Sequence, residues 1–182
     1  MSRSLLLLAG MLVYLHSISQ EDGIITSGTT KISRQLTPKP IIESLARAFP
    51  DAVTIEYFIT EGGTAREGWT ITEEEGDACE GGIACYIISF KRADLKYYGL
   101  FAQDGQLIML KVKQDFSELP GPVKESLKCL GRDYQGYRLL SRTYYKNENQ
   151  IKRAEYYEVV AEKRKEKKRL FYKIDGTLAT VR

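Results

Sequence analysis

One eight-residue pattern occurs twice in this chain, and it constrains the fold more than any other feature. Pro38-Lys39-Pro40-Ile41-Ile42-Glu43-Ser44-Leu45 is matched 82 positions later by Pro120-Gly121-Pro122-Val123-Lys124-Glu125-Ser126-Leu127, both reading P-x-P-[IV]-x-E-S-L. Downstream, Gly99-Leu100-Phe101-Ala102-Gln103-Asp104-Gly105-Gln106-Leu107 resembles Leu170-Phe171-Tyr172-Lys173-Ile174-Asp175-Gly176-Thr177-Leu178 at an offset of 71. Self-similarity at a fixed period marks one supersecondary unit used twice. The offsets differ by 11, so the first copy carries about 11 extra residues, placed in the Gly- and Glu-rich stretch 61–82 that holds Trp69 and Cys79.

Each copy opens as a helix. Proline suits a first helical turn, where its missing N–H costs nothing. Ile41, Ile42, Leu45, Ala48 and Phe49 then form one apolar face, and Val123, Leu127 and Leu130 do the same ahead of a stop at Gly131. Residues 53–59, 84–91, 97–103 and 106–113 read as strands, and 137–146, 151–161, 169–174 and 177–182 repeat the order. The Asp104-Gly105 and Asp175-Gly176 pairs read as two-residue hairpin turns. That register pairs Phe101 with Ile108, Gly99 with Leu110, Tyr97 with Val112, Tyr172 with Ala179 and Leu170 with Val181 on an apolar face that carries the helices. The opposite face receives Leu100 with Met109, Tyr98 with Lys111, Phe171 with Thr180 and Arg169 with Arg182. It is expected to be partly exposed, with Tyr98, Met109 and Phe171 as aromatic and apolar contact groups and Lys111 and Arg169 as flanking cations. Such a mixture is what a protein-binding surface needs. The plainer reading is that the insert or the leader covers this face as a second small core.

The N-terminus reads as an address. Arg3, an apolar run from Leu5 to Leu15, and small residues Ser17 and Ser19 have the layout of a cleavable signal peptide over residues 1–19, cut after Ser19. Residues 20–37 read as a flexible leader, with order beginning near Pro38. The apolar run is shorter than the roughly 20 residues a membrane span needs. Cleavage removes His16, the only histidine, and with it Ser-His-Asp and Cys-His catalysis and His-ligated zinc. An exported chain meets an oxidising compartment. Cys79 and Cys85, flanking Glu-Gly-Gly-Ile-Ala, are a candidate disulfide, while Cys129 reads as a buried free thiol. Their spacing does not suit a metal or redox pair.

Residues 20–110 hold 8 basic and 14 acidic residues, and residues 111–182 hold 18 and 10. In an exported protein the basic half reads as a solvated hairpin rather than a nucleic-acid surface. Lys163-Arg164-Lys165-Glu166-Lys167-Lys168-Arg169 is its exposed tip, with contact to anionic envelope surfaces as the functional alternative. Glu73-Glu74-Glu75, Asp77 and Glu80 read as an acidic loop, since they lack the D-x-D-x-D-G spacing of a Ca²⁺ site.

Two copies of helix, strands and Asp-Gly hairpin behind a signal peptide, with Ala48-Phe49-Pro50-Asp51-Ala52 after the first helix and Leu119-Pro120 before the second, resemble the PepSY-like, β-lactamase-inhibitor-like exported proteins of bacterial envelopes. The resemblance covers residues 38–182. It implies an α+β fold of two tandem helix-plus-four-strand repeats, 38–113 and 114–182, forming one antiparallel sheet with both helices on one face. The β-lactamase inhibitor to which the family is likened grips an enzyme with its concave sheet face. No catalytic residues and no cofactor come with the family. The reading is therefore a non-catalytic periplasmic or secreted module that binds or inhibits a protein partner through its open sheet face. The alternative is a small-ligand carrier or a structural envelope protein.

Overall fold

The computed structural model of the chain describes residue 24 and residues 28–71, 79, 84–140 and 143–182, the side chains of residues 66 and 67 excepted. The expected signal peptide and the acidic run from Glu73 to Glu80 lie outside the described residues.

The architecture is α+β: a ten-stranded, open, antiparallel sheet with few helices. In chain order the elements are β1 (Thr29–Ile32), α1 (Lys39–Ala48), β2 (Val53–Thr60), α2 (Gly62–Trp69), β3 (Cys85–Arg92), β4 (Leu95–Phe101), β5 (Leu107–Gln114), α3 (Gly121–Asp133), β6 (Arg138–Leu139), β7 (Tyr144–Asn149), β8 (Ala154–Lys163), β9 (Glu166–Tyr172) and β10 (Leu178–Val181). The strands follow one another across the sheet in sequence order, β5 joins β7, and β6 pairs separately with β8. α1 precedes the meander β2–β5, with α2 between β2 and β3, and α3 and β6 precede the meander β7–β10.

Local chemistry explains the helices. α1 and α3 each carry proline in the first turn. α1 buries Ile41 and Leu45, one turn apart, and stops at Ala48, because Phe49 precedes Pro50 and is pushed out of the helical region. α3 buries Val123, Leu127 and Leu130 and runs to Asp133, past Gly131. It ends where Gln135 and Gly136 take positive φ.

Both of these helices lie on one face of the sheet. Phe90, Tyr97, Val112, Lys146, Tyr157 and Tyr172 form a continuous cross-strand row. Its first members pack with Ile41 and Leu45 of α1, and its last with Val123 and Leu127 of α3. Burying each such aliphatic or aromatic side chain contributes about 1.5–3 kcal/mol.

Two local expectations are corrected. The leader is not flexible throughout, since Thr29–Ile32 pairs with β2 from Thr60 to Tyr57. The outer edge of β2 would otherwise be unpaired, and the β-branched Thr-Thr-Lys-Ile segment satisfies it. The Asp-Gly turns are also not two-residue loops. In each, the glycine N–H donates three residues back, Gly105 to Ala102 and Gly176 to Lys173, while Ala102 N–H donates to Gln106 and Lys173 N–H to Thr177. This is a three-residue loop closed by a glycine bulge. It shifts the register, so that Phe101 faces Leu107 rather than Ile108, and Tyr172 faces Leu178 rather than Ala179. Beyond the bulges the pairs Gly99–Leu110, Tyr97–Val112 and Leu170–Val181 are those expected.

The two bulge glycines have matching surroundings. Gly105 has φ +91° and Gly176 has φ +81°, and an added Cβ would fall 2.5 Å from the carbonyl oxygen of Pro40 or Pro122 respectively. Those prolines hold the same place in the repeated pattern. Gly105→Ala and Gly176→Ala are each expected to destabilise the protein by about 1–3 kcal/mol, by similar amounts, in urea unfolding. A loss confined to one site would show that the two contacts are not equivalent.

Candidate functional site

The five residues expected at a binding face share the face opposite α1 and α3. Leu100 stands opposite Met109, Tyr98 opposite Lys111 and Phe171 opposite Thr180, and Arg169 exchanges backbone hydrogen bonds with Arg182. Their expected exposure is not found. Tyr98, Met109, Phe171 and Lys111 are 1%, 3%, 0% and 1% exposed, and the Arg169 side chain is 24% exposed. This face is covered by α2, together with Ile24 and Ile71. Ala65 and Trp69 of α2 join these residues, Phe58, Ile87 and Leu100 in one closed core. The bulge strengthens it by turning Ile108 into this core while Leu107 remains with the α1 cluster.

The cover is made by the insert. Ala65 and Trp69 are four residues apart, so they fall on one face of a helix, and Ile71 continues that apolar patch. The surrounding glycines are poor helix formers, which hid the element in the sequence. The insert is tied back by a disulfide between Cys79 and Cys85 at a Cα separation of 6.1 Å. Cys85 opens β3 and is fully buried. Cys129 is a free thiol, only half-buried on α3.

The two cations of the expected rim clamp this cover from beneath. Glu158 lies at the centre: its Oε2 accepts from Lys111 Nζ at 2.9 Å and from Asn147 Nδ2 at 3.2 Å, and its Oε1 accepts from Arg169 Nε at 2.6 Å. Lys111 and Arg169 also donate to the carbonyl oxygen of Gly68, at 3.2 and 2.9 Å. That carbonyl belongs to the last turn of α2, where backbone oxygens lack helical partners and cations are favoured. Lys111 Nζ lies 5.0 Å from the centre of the Trp69 ring, and the Arg169 guanidinium 5.1 Å from that of Phe171. Burial opposes the charge on Glu158, but Lys111 and then Arg169 outweigh it and hold its pKa down to about 2. Chemically this is a fixed ion cluster that anchors a helix. Glu158 and Asn147 were missed in the sequence because α3 and β6, and for Glu158 also β7, separate them from Lys111 in the chain, and only the register brings them together.

The side of the sheet that carries α1 and α3 offers a different surface. A groove of about 430 Å³ lies at the end of α1, over the seam where β5 meets β7. Ala48, Phe49, Tyr97 and Leu107 form its apolar side, and Lys146 and Glu148 its polar side. Lys146 Nζ bridges Glu148 at 2.6 Å and Glu155 at 3.2 Å, and Tyr157 donates to Glu155 at 2.9 Å. Burial disfavours the Lys146 charge, but the two carboxylates more than compensate and raise its pKa. Burial, then the Glu155 contact, push Tyr157 up to about 12, so the phenol stays protonated. The groove is therefore amphipathic, with Lys146 held between the carboxylates of Glu148 and Glu155. Among the described residues no group of His, Cys, Asp and Glu is placed to hold a metal ion, and no helix is long and apolar enough to cross a membrane.

Solved structures share this architecture. A DUF2874 family protein from Bacteroides ovatus aligns at a TM-score of 0.55 with 15% identity, over 80% of this chain and 86% of that one. A DUF2874 family protein from Bacteroides uniformis aligns at 0.55 with 14% identity, over 80% and 88%. A BLIP-like protein from Bacteroides fragilis aligns at 0.56 with 13% identity, over 80% and 85%. At these identities the likeness is one of fold. No family model matches the chain, and no curated protein matches it.

Proposed function

We propose that the protein is a non-catalytic binding module of the cell envelope, of the PepSY-like, β-lactamase-inhibitor-like kind. In this reading it is built from two copies of one helix-plus-four-strand unit. It holds a protein partner at the seam groove beside the end of α1 rather than on the opposite sheet face. The groove itself carries the proposal: it is an amphipathic surface at the end of α1, over the β5–β7 seam. The matched glycine-to-proline contacts support the two-copy origin. The signal-peptide pattern and the fold shared with a BLIP-like protein support the envelope role. The histidine-free mature chain and the Lys146-paired carboxylates at the groove support a role without catalysis.

A small-ligand carrier is the second reading, because about 430 Å³ falls within the size range of ligand pockets. Ala48 is exposed and lines the groove, so Ala48→Trp fills the groove without removing a core side chain. Affinity enrichment from an envelope extract, with the wild type and this variant compared, is the test. The expected result is a protein captured by the wild type and lost with Ala48→Trp at unchanged melting temperature. Equal capture by both would remove the groove as the site. A small molecule released on denaturation, with no captured protein, would favour the carrier.

A further inference from the structure

We propose that the β8–β9 hairpin tip docks the protein on an anionic bilayer surface, independently of any partner at the groove. Lys163 pairs with Glu166, so only Arg164 and Lys165 form the loop. Both have positive φ, 49° and 73°. A two-residue turn of this kind favours Asn-Gly, and long side chains there are locally unfavourable. The Ala93-Asp94 turn of the β3–β4 hairpin has the same left-handed pair, and what distinguishes the β8–β9 tip is that both of its turn residues are exposed cations.

Lys167 adds a third exposed cation, and Arg164, Lys165 and Lys167 form no ion pair with any described residue. Lys163 and Lys168 flank them against the Tyr137 ring. The nearby carboxylates Glu162 and Glu166 are taken up by Arg138 and Lys168. The same end of the sheet shows apolar groups. Leu139 pairs with Ala161 and Leu140 N–H donates to Val160, yet their side chains are 38% and 40% exposed. A nucleic acid in solution would use the cations alone. Lipid takes both, with phosphate headgroups meeting the basic tip and the acyl boundary meeting the leucines.

Co-sedimentation of the full protein with vesicles of phosphatidylglycerol and phosphatidylcholine, against vesicles of phosphatidylcholine alone, tests this. The wild type is expected to sediment with the anionic vesicles only, and less at high salt. Arg164→Glu, Lys165→Glu and Lys167→Glu together are expected to weaken binding by about a hundredfold or more, since each basic residue near such a surface contributes about a factor of five to ten. Leu139→Ser with Leu140→Ser is expected to weaken it further than salt alone does. Unchanged Trp69 emission in each variant verifies the fold. Absence of wild-type binding, undiminished binding of the charge variant, or release by inorganic phosphate would overturn the proposal. So would binding indifferent to the leucines, which would assign the tip to a soluble polyanion.

Discussion

Glu158→Gln is expected to cost about 3–5 kcal/mol of folding stability, because it removes the buried carboxylate charge that the buried Lys111 and the part-buried Arg169 share. A loss of that size is a large part of the roughly 5–15 kcal/mol that stabilises a domain. Lys111→Met combined with Glu158→Gln is expected to recover part of it, since the most buried cation leaves with its anion and Arg169 can turn toward solvent. Chemical denaturation of the two variants measures both. Additive losses in the double variant would show that the cluster is not a unit. The same group sets a pH response. The folded Glu158 pKa, about 2, lies below its ordinary value of 4.5, so its contribution is complete above about pH 4.5 and is lost as the pH falls toward 2. The acid limb of the wild-type stability profile should therefore flatten in Glu158→Gln.

Trp69→Ala is expected to cost about 3–5 kcal/mol as well, the range for deleting a large buried aromatic side chain. Trp69 is 2% exposed and packs among Tyr98, Met109 and Phe171 in one core. If α2 were a loosely held lid, the cost would stay near 1 kcal/mol, and the variant would bind apolar dyes while keeping its melting temperature. The account requires the opposite: a single cooperative transition at a lowered temperature. The covered face also bears on how this fold is used here. Gripping a partner with the open sheet requires the surface that α2 and its disulfide-tied insert occupy in this chain.

Much of the fold was legible because it rests on periodic signals. The P-x-P pattern marked both long helices, and the apolar alternation with the Asp-Gly turns placed the strands to within a few residues, except that the expected strand 137–146 divides into β6 and β7. It also assigned Tyr98, Lys111, Met109 and Phe171 to one face. The turn type was not legible, because Asp-Gly serves both two-residue turns and bulged three-residue loops. The bulge exchanged Ile108 for Leu107. Exposure was also not legible. It depended on α2, a helix of eight residues whose glycines mask its Ala65–Trp69 stripe. The charged core was hidden for a different reason. Lys111 and Arg169 are ordinary surface residues by type, and only the register that sets Glu158 opposite Phe171 and Asn147 opposite Lys111 reveals that they meet at one buried carboxylate.

Trp69 is the only tryptophan in the chain, so its fluorescence reports on the covered face alone. In the native, oxidised protein the emission is expected to be blue-shifted and nearly immune to acrylamide, and it should become red-shifted and quenchable only in the global unfolding transition. Native emission at the wavelength of a solvated indole, with free quenching in a protein whose sheet is intact, would place α2 off the sheet. The aromatic face would then be the binding surface after all.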